Sequence, residues 1–337
     1  MQKLKLPIST IRGLVIDAQS NHSLASFPVD PTFVTPNHVI VKVSTGVINP
    51  ADVNFYRGWF PTKKTFPTIG GFEGAGQVIW TGSDATSLKS QRVAFMSMAP
   101  NCTGSYADYA IIDKQHCFII PDKISDIDSA CGALINPITA FGLLDVASTK
   151  NPTAIVHSGA SGGVGKTLIQ ICKYRKIPLI NLVRKDENVS LLKSLGADYV
   201  FNSESPNFEV EIAECFAKTQ PNVFLDCVSG ELGTSILRKM GQGASLICYG
   251  SLVDEPYGFT SKEIRFSEMS IEGFALGHYA VKNLEKKNAF GKEALEHLAS
   301  GVLSLHFSKK FELEDYLEAF AYYKENQSLG KVRIGML

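Results

Sequence analysis

The chain has 337 residues, with 33 Lys plus Arg and 33 Asp plus Glu, so its formal net charge is zero. Hydrophobic residues make up 45% and charged residues 20%, a composition that excludes a disordered or fibrous protein. At about 150 residues per domain, the length predicts two domains. The balanced charge argues against a nucleic-acid-binding protein or a protein drawn to an anionic membrane, so we expect no nucleic-acid partner.

The cysteine content and the hydropathy predict a compartment. Seven cysteines are scattered without a Cys-x-x-Cys pair, which is typical of a reducing environment. The longest uncharged run, 129–144, is interrupted by Asn136-Pro137 and is too short to span a bilayer, so we expect no membrane association. Nine residues precede the first strand-like run, too few for a targeting peptide. These features predict a cytoplasmic protein, or a mitochondrial one if a transit peptide has been removed.

The first 125 residues consist of short β-like runs separated by clusters of Gly, Pro, Asn and Asp. This pattern predicts an antiparallel barrel or sandwich. The strand-like runs in chain order are 10–16, 39–43, 76–79, 92–95 and 109–112.

From about residue 129, strands alternate with helices of 10–15 residues, which predicts an α/β fold with a doubly wound parallel sheet. The predicted strands are 154–157, 179–183, 199–202, 223–227, 245–249 and 270–274. The predicted helices between them are 164–175, 187–195, 208–218 and 230–240.

After residue 280 the pattern is helix 284–298, strand 305–311, helix 313–325 and strand 331–334. This tail is too small for a domain of its own, and we expect it to return to the N-terminal β-rich part. The predicted organisation is therefore a discontinuous β-rich domain, 1–128 and 275–337, interrupted by a parallel-sheet domain, 129–274.

The most informative run follows the predicted strand 154–157, where residues 158–166 read Ser-Gly-Ala-Ser-Gly-Gly-Val-Gly-Lys. Glycines permit a tight turn and let the backbone approach a pyrophosphate, which then lies at the N-terminus of the following helix. Between a strand and a helix of a βαβ unit, this run predicts a dinucleotide site. The alternative is a purely structural turn. Lys166 does not make the run a P-loop, because residue 160 is Ala where that motif requires Gly.

The end of the second parallel strand predicts which dinucleotide binds. An NAD enzyme carries Asp or Glu there for the ribose 2′-hydroxyl, whereas this chain has Arg184-Lys185. A guanidinium pairs with a 2′-phosphate that a carboxylate would repel, so the sequence favours NADPH. Two alternatives stay open: the two basic residues are only solvated charges, or Asp186 shifts the preference toward NAD.

Four segments together resemble the medium-chain dehydrogenase/reductase superfamily over nearly the whole chain. They are Asn-Pro-Ala-Asp at 49–52, the glycine-rich segment 67–78, Gly-Ser-Tyr-Ala-Asp-Tyr at 104–109, and the turn 159–165. The resemblance implies a GroES-like catalytic domain, a Rossmann domain, and a homodimer or homotetramer. Within the superfamily the chain is similar to the zinc-independent quinone oxidoreductases and 2-enoyl-thioester reductases.

The resemblance also implies cofactor-binding residues for NADPH. They are Asn136, Thr139, Ser161, Gly162, Gly163, Val164, Gly165, Arg184, Asn202, Tyr249, Gly250, Ser251, Leu252, Phe274 and Lys331.

The same resemblance bears on zinc. A catalytic zinc needs about three protein ligands. Zinc-dependent relatives have a Cys near Asn49 and a His at the position of Phe72, and their structural cysteines would fall within 95–115, where this chain has only Cys102. We therefore expect no metal.

Three residues are candidates for catalysis: Asn49, Tyr56 and Phe60. Family equivalents of Asn49 face the nicotinamide, although Asn49 could instead only form the turn before Pro50. Both groups of relatives usually have a Tyr, a proposed proton donor in the thioester reductases, where this chain has Phe60. Phe cannot donate a proton. Tyr56 or Tyr106 could substitute, or simply pack.

These observations predict hydride transfer from NADPH to a small-molecule acceptor, either a quinone or an α,β-unsaturated carbonyl. One alternative is a 2-enoyl-thioester reductase, which the Tyr-to-Phe departure weakens. Another is a non-catalytic NADPH-binding protein on the same fold.

Overall fold

The computed structural model describes residues 6–59 and 63–336. These form two compact units, one made of the chain up to residue 135 together with residues from 288 onward, and one made of residues 136–287. Each predicted domain boundary lies earlier in the chain than the corresponding division between units. Among the described residues, Ile127–Ser148 is the one stretch long and apolar enough to cross a membrane, and 89% of its most apolar window is buried inside the protein.

The strands in chain order are β1 Thr10–Ile16, β2 His22–Pro28, β3 His38–Val47, β4 Thr68–Ile69, β5 Glu73–Thr81, β6 Arg92–Met96, β7 Tyr109–Asp113, β8 Cys117–Ile119, β9 Ile155–His157, β10 Leu179–Val183, β11 Tyr199–Asn202, β12 Val223–Asp226, β13 Ser245–Cys248, β14 Ser270–Gly273, β15 Phe307–Glu312 and β16 Lys331–Gly335. The α-helices are α1 Pro50–Tyr56, α2 Ile135–Ser148, α3 Gly163–Arg175, α4 Asp186–Ser194, α5 Phe208–Thr219, α6 Gly230–Met240, α7 Ser261–Phe266, α8 Leu276–Lys282, α9 Leu284–Ser300 and α10 Tyr316–Glu325.

The first unit contains two sheets. One has the order β2-β1-β4, and the other has the order β15-β16-β3-β5-β6-β8, with β7 also paired to β3. Strands β1 to β8 pair antiparallel throughout, as the short β-like runs predict. The C-terminal strand β16 pairs with β3, while β15 and β16 pair parallel to each other. The last strand of the chain is thereby held beside residues near position 47.

The second unit is built on a six-stranded parallel sheet of order β11-β10-β9-β12-β13-β14. The order reverses between β9 and β12, and in doubly wound sheets ligands bind at such a reversal, beyond the carboxyl ends of the strands. One face is packed by buried apolar side chains from the strands and from α5 and α6, including Val156, Ile212, Phe224 and Leu246. This core holds the strand ends, and the loops that leave them, in fixed register.

Candidate active site

The loops at the carboxyl edge of the parallel sheet carry most of the predicted cofactor residues. Residues 161–165 follow β9, Arg184 follows β10, residues 249–252 follow β13, and Phe274 follows β14. Asn202 is the last residue of β11. Because all six strands run parallel, these segments all leave the sheet at the carboxyl ends of the strands. The second unit therefore gathers residues that lie more than 100 positions apart in the chain.

The glycine-rich turn shows which glycines the protein itself requires. Gly159 has a φ of +61°, and a Cβ there would lie 2.5 Å from the sulfur of Cys227. A Cβ at Gly163 would lie 2.0 Å from Asn136 Nδ2, and one at Gly165 would lie 2.2 Å from the carbonyl oxygen of Ala160. All three positions exclude a side chain for internal reasons.

Gly162 differs from the other glycines of the turn. A Cβ there would meet only the Gly159 carbonyl oxygen, at 3.4 Å, and its φ of −74° suits any residue. It is the N-cap of α3 and makes no side-chain cap, so the first backbone N–H groups of that helix are not satisfied by a capping side chain. A bare backbone with available N–H donors fits the pyrophosphate of a dinucleotide.

The end of β10 places a basic residue at the same edge of the sheet. Arg184 is exposed, and the structure gives it no hydrogen bond or ion pair among the described residues. The neighbouring carboxylate of Asp186 instead accepts a hydrogen bond from Asn202 Nδ2 at 2.9 Å. The free guanidinium fits a 2′-phosphate, and one oxygen of the Asp186 carboxylate is engaged by Asn202.

Three further predicted cofactor residues are largely buried in the second unit. Asn136 and Thr139 lie in the first two turns of α2, and the Asn136 amide lies against Gly163 at the start of α3. Phe274 packs against Gly142 of α2 and stands 5.3 Å, between ring centroids, from Tyr279. These residues shape the wall behind the turn.

In the first unit, Asn49 and Lys331 meet in a buried polar cluster. Lys331 Nζ donates to Asn49 Oδ1 at 2.9 Å, and Asn49 Nδ2 donates to Glu73 Oε2 at 3.0 Å. An ammonium can only donate and a carboxylate can only accept, so these two partners fix the orientation of the Asn49 amide. One Nδ2 hydrogen is used by Glu73, and no described residue accepts the other.

Glu73 anchors this cluster to the chain. Its Oε1 accepts from the backbone N–H groups of Leu134 and Ile135 at 2.7 and 3.0 Å, and its Oε2 lies 3.8 Å from Lys331 Nζ. The side chain is fully buried, so the nearby ammonium supplies the counter-charge that a buried carboxylate requires. The sequence pattern does not reveal this role, because none of the partners of Glu73 is near it in the chain.

Asp52 lies next to the cluster and closes the first turn of α1. Its carboxylate accepts from the backbone N–H groups of Asn49 and Phe72, both at 2.8 Å. Burial raises the pKa of Asp52 to about 7, against the lowering effect of these two hydrogen bonds. Asp52 fixes the backbone on both sides of the cluster.

Tyr56 is placed as a packing residue. Its ring lies 5.0 Å from that of Phe320 and 5.3 Å from that of His22, and its hydroxyl is enclosed with no hydrogen-bond partner among the described residues. Tyr106 is also buried and donates its hydroxyl hydrogen to the carbonyl of Val47. Phe60 lies outside the described residues. A catalytic role for Tyr56 or Phe60 stays a prediction.

Two family models match the chain: the alcohol dehydrogenase GroES-like domain over residues 35–122 and a zinc-binding dehydrogenase model over residues 163–293. A mitochondrial enoyl-[acyl-carrier-protein] reductase of Bos taurus is 28% identical over 290 residues, which are 83% of this chain and 76% of the relative. A relative with the same name from Arabidopsis thaliana is 29% identical over 251 residues, which are 73% of this chain and 66% of that protein, just under two thirds.

Solved structures show the same fold. A Mesorhizobium loti protein that is named as an NADPH:quinone reductase has a TM-score of 0.86 at 26% identity, with 98% of this chain and 100% of that chain covered. An enoyl thioester reductase of Candida tropicalis has a TM-score of 0.81 at 23% identity, with 97% and 100% covered. At 23% identity, the likeness to the Candida tropicalis structure shows the fold alone.

A GroES-like β-rich unit and a parallel sheet with a glycine-rich turn define a two-part dehydrogenase/reductase fold. The chain belongs to the medium-chain dehydrogenase/reductase superfamily, in its zinc-independent branch.

The description of the second family model names zinc, and the residues of this chain do not fit a zinc site. The position of the ligand His is the buried Phe72, and the amide of Asn49 is held by the ammonium of Lys331. A cation next to Asn49 opposes a second, divalent cation there. Among the described residues, no group of three or more His, Cys, Asp or Glu side chains could hold a metal ion.

Proposed function

We propose that this protein is an NADPH-dependent oxidoreductase that transfers a hydride to a conjugated acceptor, an α,β-unsaturated carbonyl or a quinone. The observation that carries the proposal is the bare backbone of Gly162 at the carboxyl edge of the parallel sheet, in the same unit as the free Arg184. The relatives support the reaction class, because they are named as an enoyl reductase and an NADPH:quinone reductase.

The chain's own residues have two proposed tasks. In the second unit, the N–H groups after Gly162 and the guanidinium of Arg184 bind the phosphates of NADPH. In the first unit, the available Nδ2 hydrogen of Asn49 donates to the acceptor's carbonyl oxygen, and Lys331 holds the Asn49 amide in the orientation that allows this. When bound, NADPH supplies the hydride. A donor at the carbonyl oxygen stabilises the enolate charge that develops.

The acceptor class is decided by a panel of substrates. NADPH oxidation is followed with hexenoyl and crotonyl thioesters, medium-chain enones, ortho-quinones and para-quinones. The relatives' names favour the thioesters, and the absence of a Tyr at position 60 favours the quinones, since quinol formation can take protons from solvent. Lack of turnover with every acceptor contradicts the proposal and leaves the non-catalytic alternative.

Phe60→Tyr separates the two acceptor classes, with Trp59→Tyr as the matched control at the exposed neighbouring aromatic. If thioester reduction is limited by a missing proton donor, Phe60→Tyr raises thioester turnover and leaves quinone turnover unchanged. Equal effects of both substitutions argue against a donor role at position 60.

The proposed assembly is a homodimer. Strand β14 is the edge of the parallel sheet, and an unpaired edge is a template for pairing with another strand. Ile271 in that strand is 41% exposed, and Val281 in the following α8 is 84% exposed. Light scattering after size exclusion should give twice the chain mass, and Ile271→Lys should reduce it. A monomer at all concentrations contradicts the dimer.

The compartment is a separate proposal. The sequence alone predicts the cytoplasm, whereas the names of the enoyl reductase relatives place those proteins in mitochondria. We propose mitochondria, and fractionation of cells that express the full-length gene with a C-terminal tag distinguishes the two.

A further inference from the structure

His157 and Tyr249 form a hydrogen bond across the carboxyl edge of the parallel sheet. His157 Nε2 lies 2.6 Å from the Tyr249 hydroxyl oxygen, and the two rings stack with centroids 5.9 Å apart at 15°. His157 ends β9 and Tyr249 follows β13, two strands that are separated by β12. The contact therefore spans a strand and joins the two loops that leave β9 and β13.

Those two loops also converge on Cys227, directly after β12. A Cβ at Gly159 would lie 2.5 Å from the Cys227 sulfur, and a Cβ at Gly250 would lie 2.9 Å from the Cys227 Cβ. The Leu252 N–H donates to the carbonyl of Cys227 at 2.9 Å. The glycine-rich turn and residues 249–252 are thus packed against one side chain, and neither backbone has room to carry a side chain of its own at the contact.

The Tyr249 hydroxyl is the one hydrogen-bond partner of the His157 imidazole among the described residues. His157 is fully buried, and its Nδ1 has no hydrogen-bond partner among the described residues. Burial lowers the pKa of His157 to about 3 and raises the pKa of Tyr249 well above its usual value, so both groups are neutral at working pH. A neutral pair keeps its hydrogen bond throughout the physiological pH range.

We propose that the His157–Tyr249 hydrogen bond is a positioning lock that holds residues 249–252 at the distance from the glycine-rich turn that NADPH requires. This inference rests on the proposed function, because it assumes that both segments contact the cofactor. In this proposal both act as positioning residues. If the lock is removed, residues 249–252 populate other conformations, and the apparent Kd rises by the inverse of the fraction that remains competent.

The test is direct NADPH binding by calorimetry to the full chain, with Tyr249→Phe, His157→Leu and the double variant. Tyr249→Phe keeps the stacked ring and removes only the hydroxyl. Tyr257→Phe is the matched control, because it removes a 2.7 Å hydrogen bond to Asp226 in the same unit. We expect each single variant to raise the Kd for NADPH about tenfold. The double variant should raise it no further than Tyr249→Phe alone, because Tyr249→Phe breaks both the His157 contact and the hydrogen bond to the Cys227 thiol.

The outcomes separate the lock from the proposed function. Three results together support the lock. The wild-type protein binds NADPH, the Kd rises in both single variants without adding up in the double variant, and the Kd of Tyr257→Phe stays within twofold of wild type. Variants that bind within twofold of wild type overturn it, as does an equal loss in Tyr257→Phe or fully additive effects. Failure of the wild-type protein to bind NADPH contradicts the proposed cofactor itself. If His157→Leu does not fold, Tyr249→Phe against Tyr257→Phe decides the question.

Discussion

Lys331 donates a hydrogen bond to Asn49 Oδ1 at 2.9 Å, although 282 positions separate the two residues in the chain. The contact exists because β16 pairs antiparallel with β3, just before Asn49. With Glu73 on its other side, the Asn49 amide can present only an N–H to a ligand.

Replacing Lys331 by Met should lower kcat/KM about 10- to 100-fold, because the Asn49 amide loses the charged donor that orients it. Steady-state kinetics with NADPH measure the loss. Lys310→Met is the matched control, since it removes the same charge from a more exposed ion pair with Asp128. Equal losses in the two variants would refute a specific role for Lys331.

The contact between Lys331 and Glu73 can be tested by a double-mutant cycle on protein stability. Lys331→Met leaves the buried Glu73 carboxylate without its counter-charge, which should lower the unfolding free energy by about 3 kcal/mol. Adding Glu73→Gln should recover part of that loss, because the buried charge is gone and Asn49 is free to turn and accept from the new amide. Urea unfolding of the four proteins measures the coupling; strictly additive losses would mean that the two residues do not interact.

Two glycines of the turn should respond differently to alanine. Gly162→Ala should cost about 1 kcal/mol of stability or less, since the new methyl group meets no close neighbour, yet it should weaken NADPH binding at least tenfold. Gly165→Ala should instead lower stability, because its Cβ would lie 2.2 Å from the carbonyl oxygen of Ala160. Thermal melts and calorimetry are compared. Unchanged NADPH binding in Gly162→Ala would remove the main argument for the cofactor site.

Arg184→Ala should raise the Kd for NADPH about 10- to 100-fold and leave the Kd for NADH within about twofold, because only the 2′-phosphate is lost as a partner. Lys185→Ala is the control at the neighbouring exposed position and should have the smaller effect. A uniform loss for both dinucleotides would assign Arg184 to the adenine or the ribose and leave the NADPH preference without its explanation.

His157 predicts a pH dependence of stability. Its pKa is about 3 in the folded protein and about 6.5 when unfolded, so the unfolded state binds the extra proton between these values. The contribution of neutral His157 to the unfolding free energy is present above pH 6.5 and is lost as the pH falls toward 3. Asp52 acts in the opposite sense, with a contribution that is lost as the pH rises through about 7.

Comparison with His157→Gln isolates the histidine, because the contribution of Asp52 is common to both proteins. Between pH 6.5 and 4.5 the wild-type protein should lose about 2 kcal/mol more unfolding free energy than the variant. Urea unfolding followed by circular dichroism at several pH values tests this difference. Parallel pH profiles would show that the imidazole is not kept neutral by burial.

The parallel sheet is the part of the fold that sequence patterns predict best. Most of its strands are apolar runs bounded by Gly, Pro and polar residues, and β10, for example, has the bounds that the pattern predicts. Strand β2 has no such signal, because it is a half-exposed edge strand with Ser, Ala and Pro. The short helix α8 is also not predicted, since seven residues with Gly277 give too few turns for a periodic pattern.

The candidate site divides in the same way. The glycine-rich turn and Arg184 are local features, so the sequence identifies them directly. The partners of Glu73 and the His157–Tyr249 contact depend on strand order and on burial, which no local pattern encodes. Resemblance supplies Asn49 and Lys331 as separate residues, and only the fold shows that they touch.

Hydride transfer from NADPH to a conjugated acceptor leaves an isotopic label in the product. The wild-type protein is incubated with NADPH that carries deuterium at both hydrogen positions of C4 of the nicotinamide and with an enoyl thioester or enone, and the product is examined by mass spectrometry. We expect a saturated product with one deuterium at the β-carbon, together with oxidised cofactor. No NADPH oxidation with any enone, enoyl thioester or quinone would contradict it.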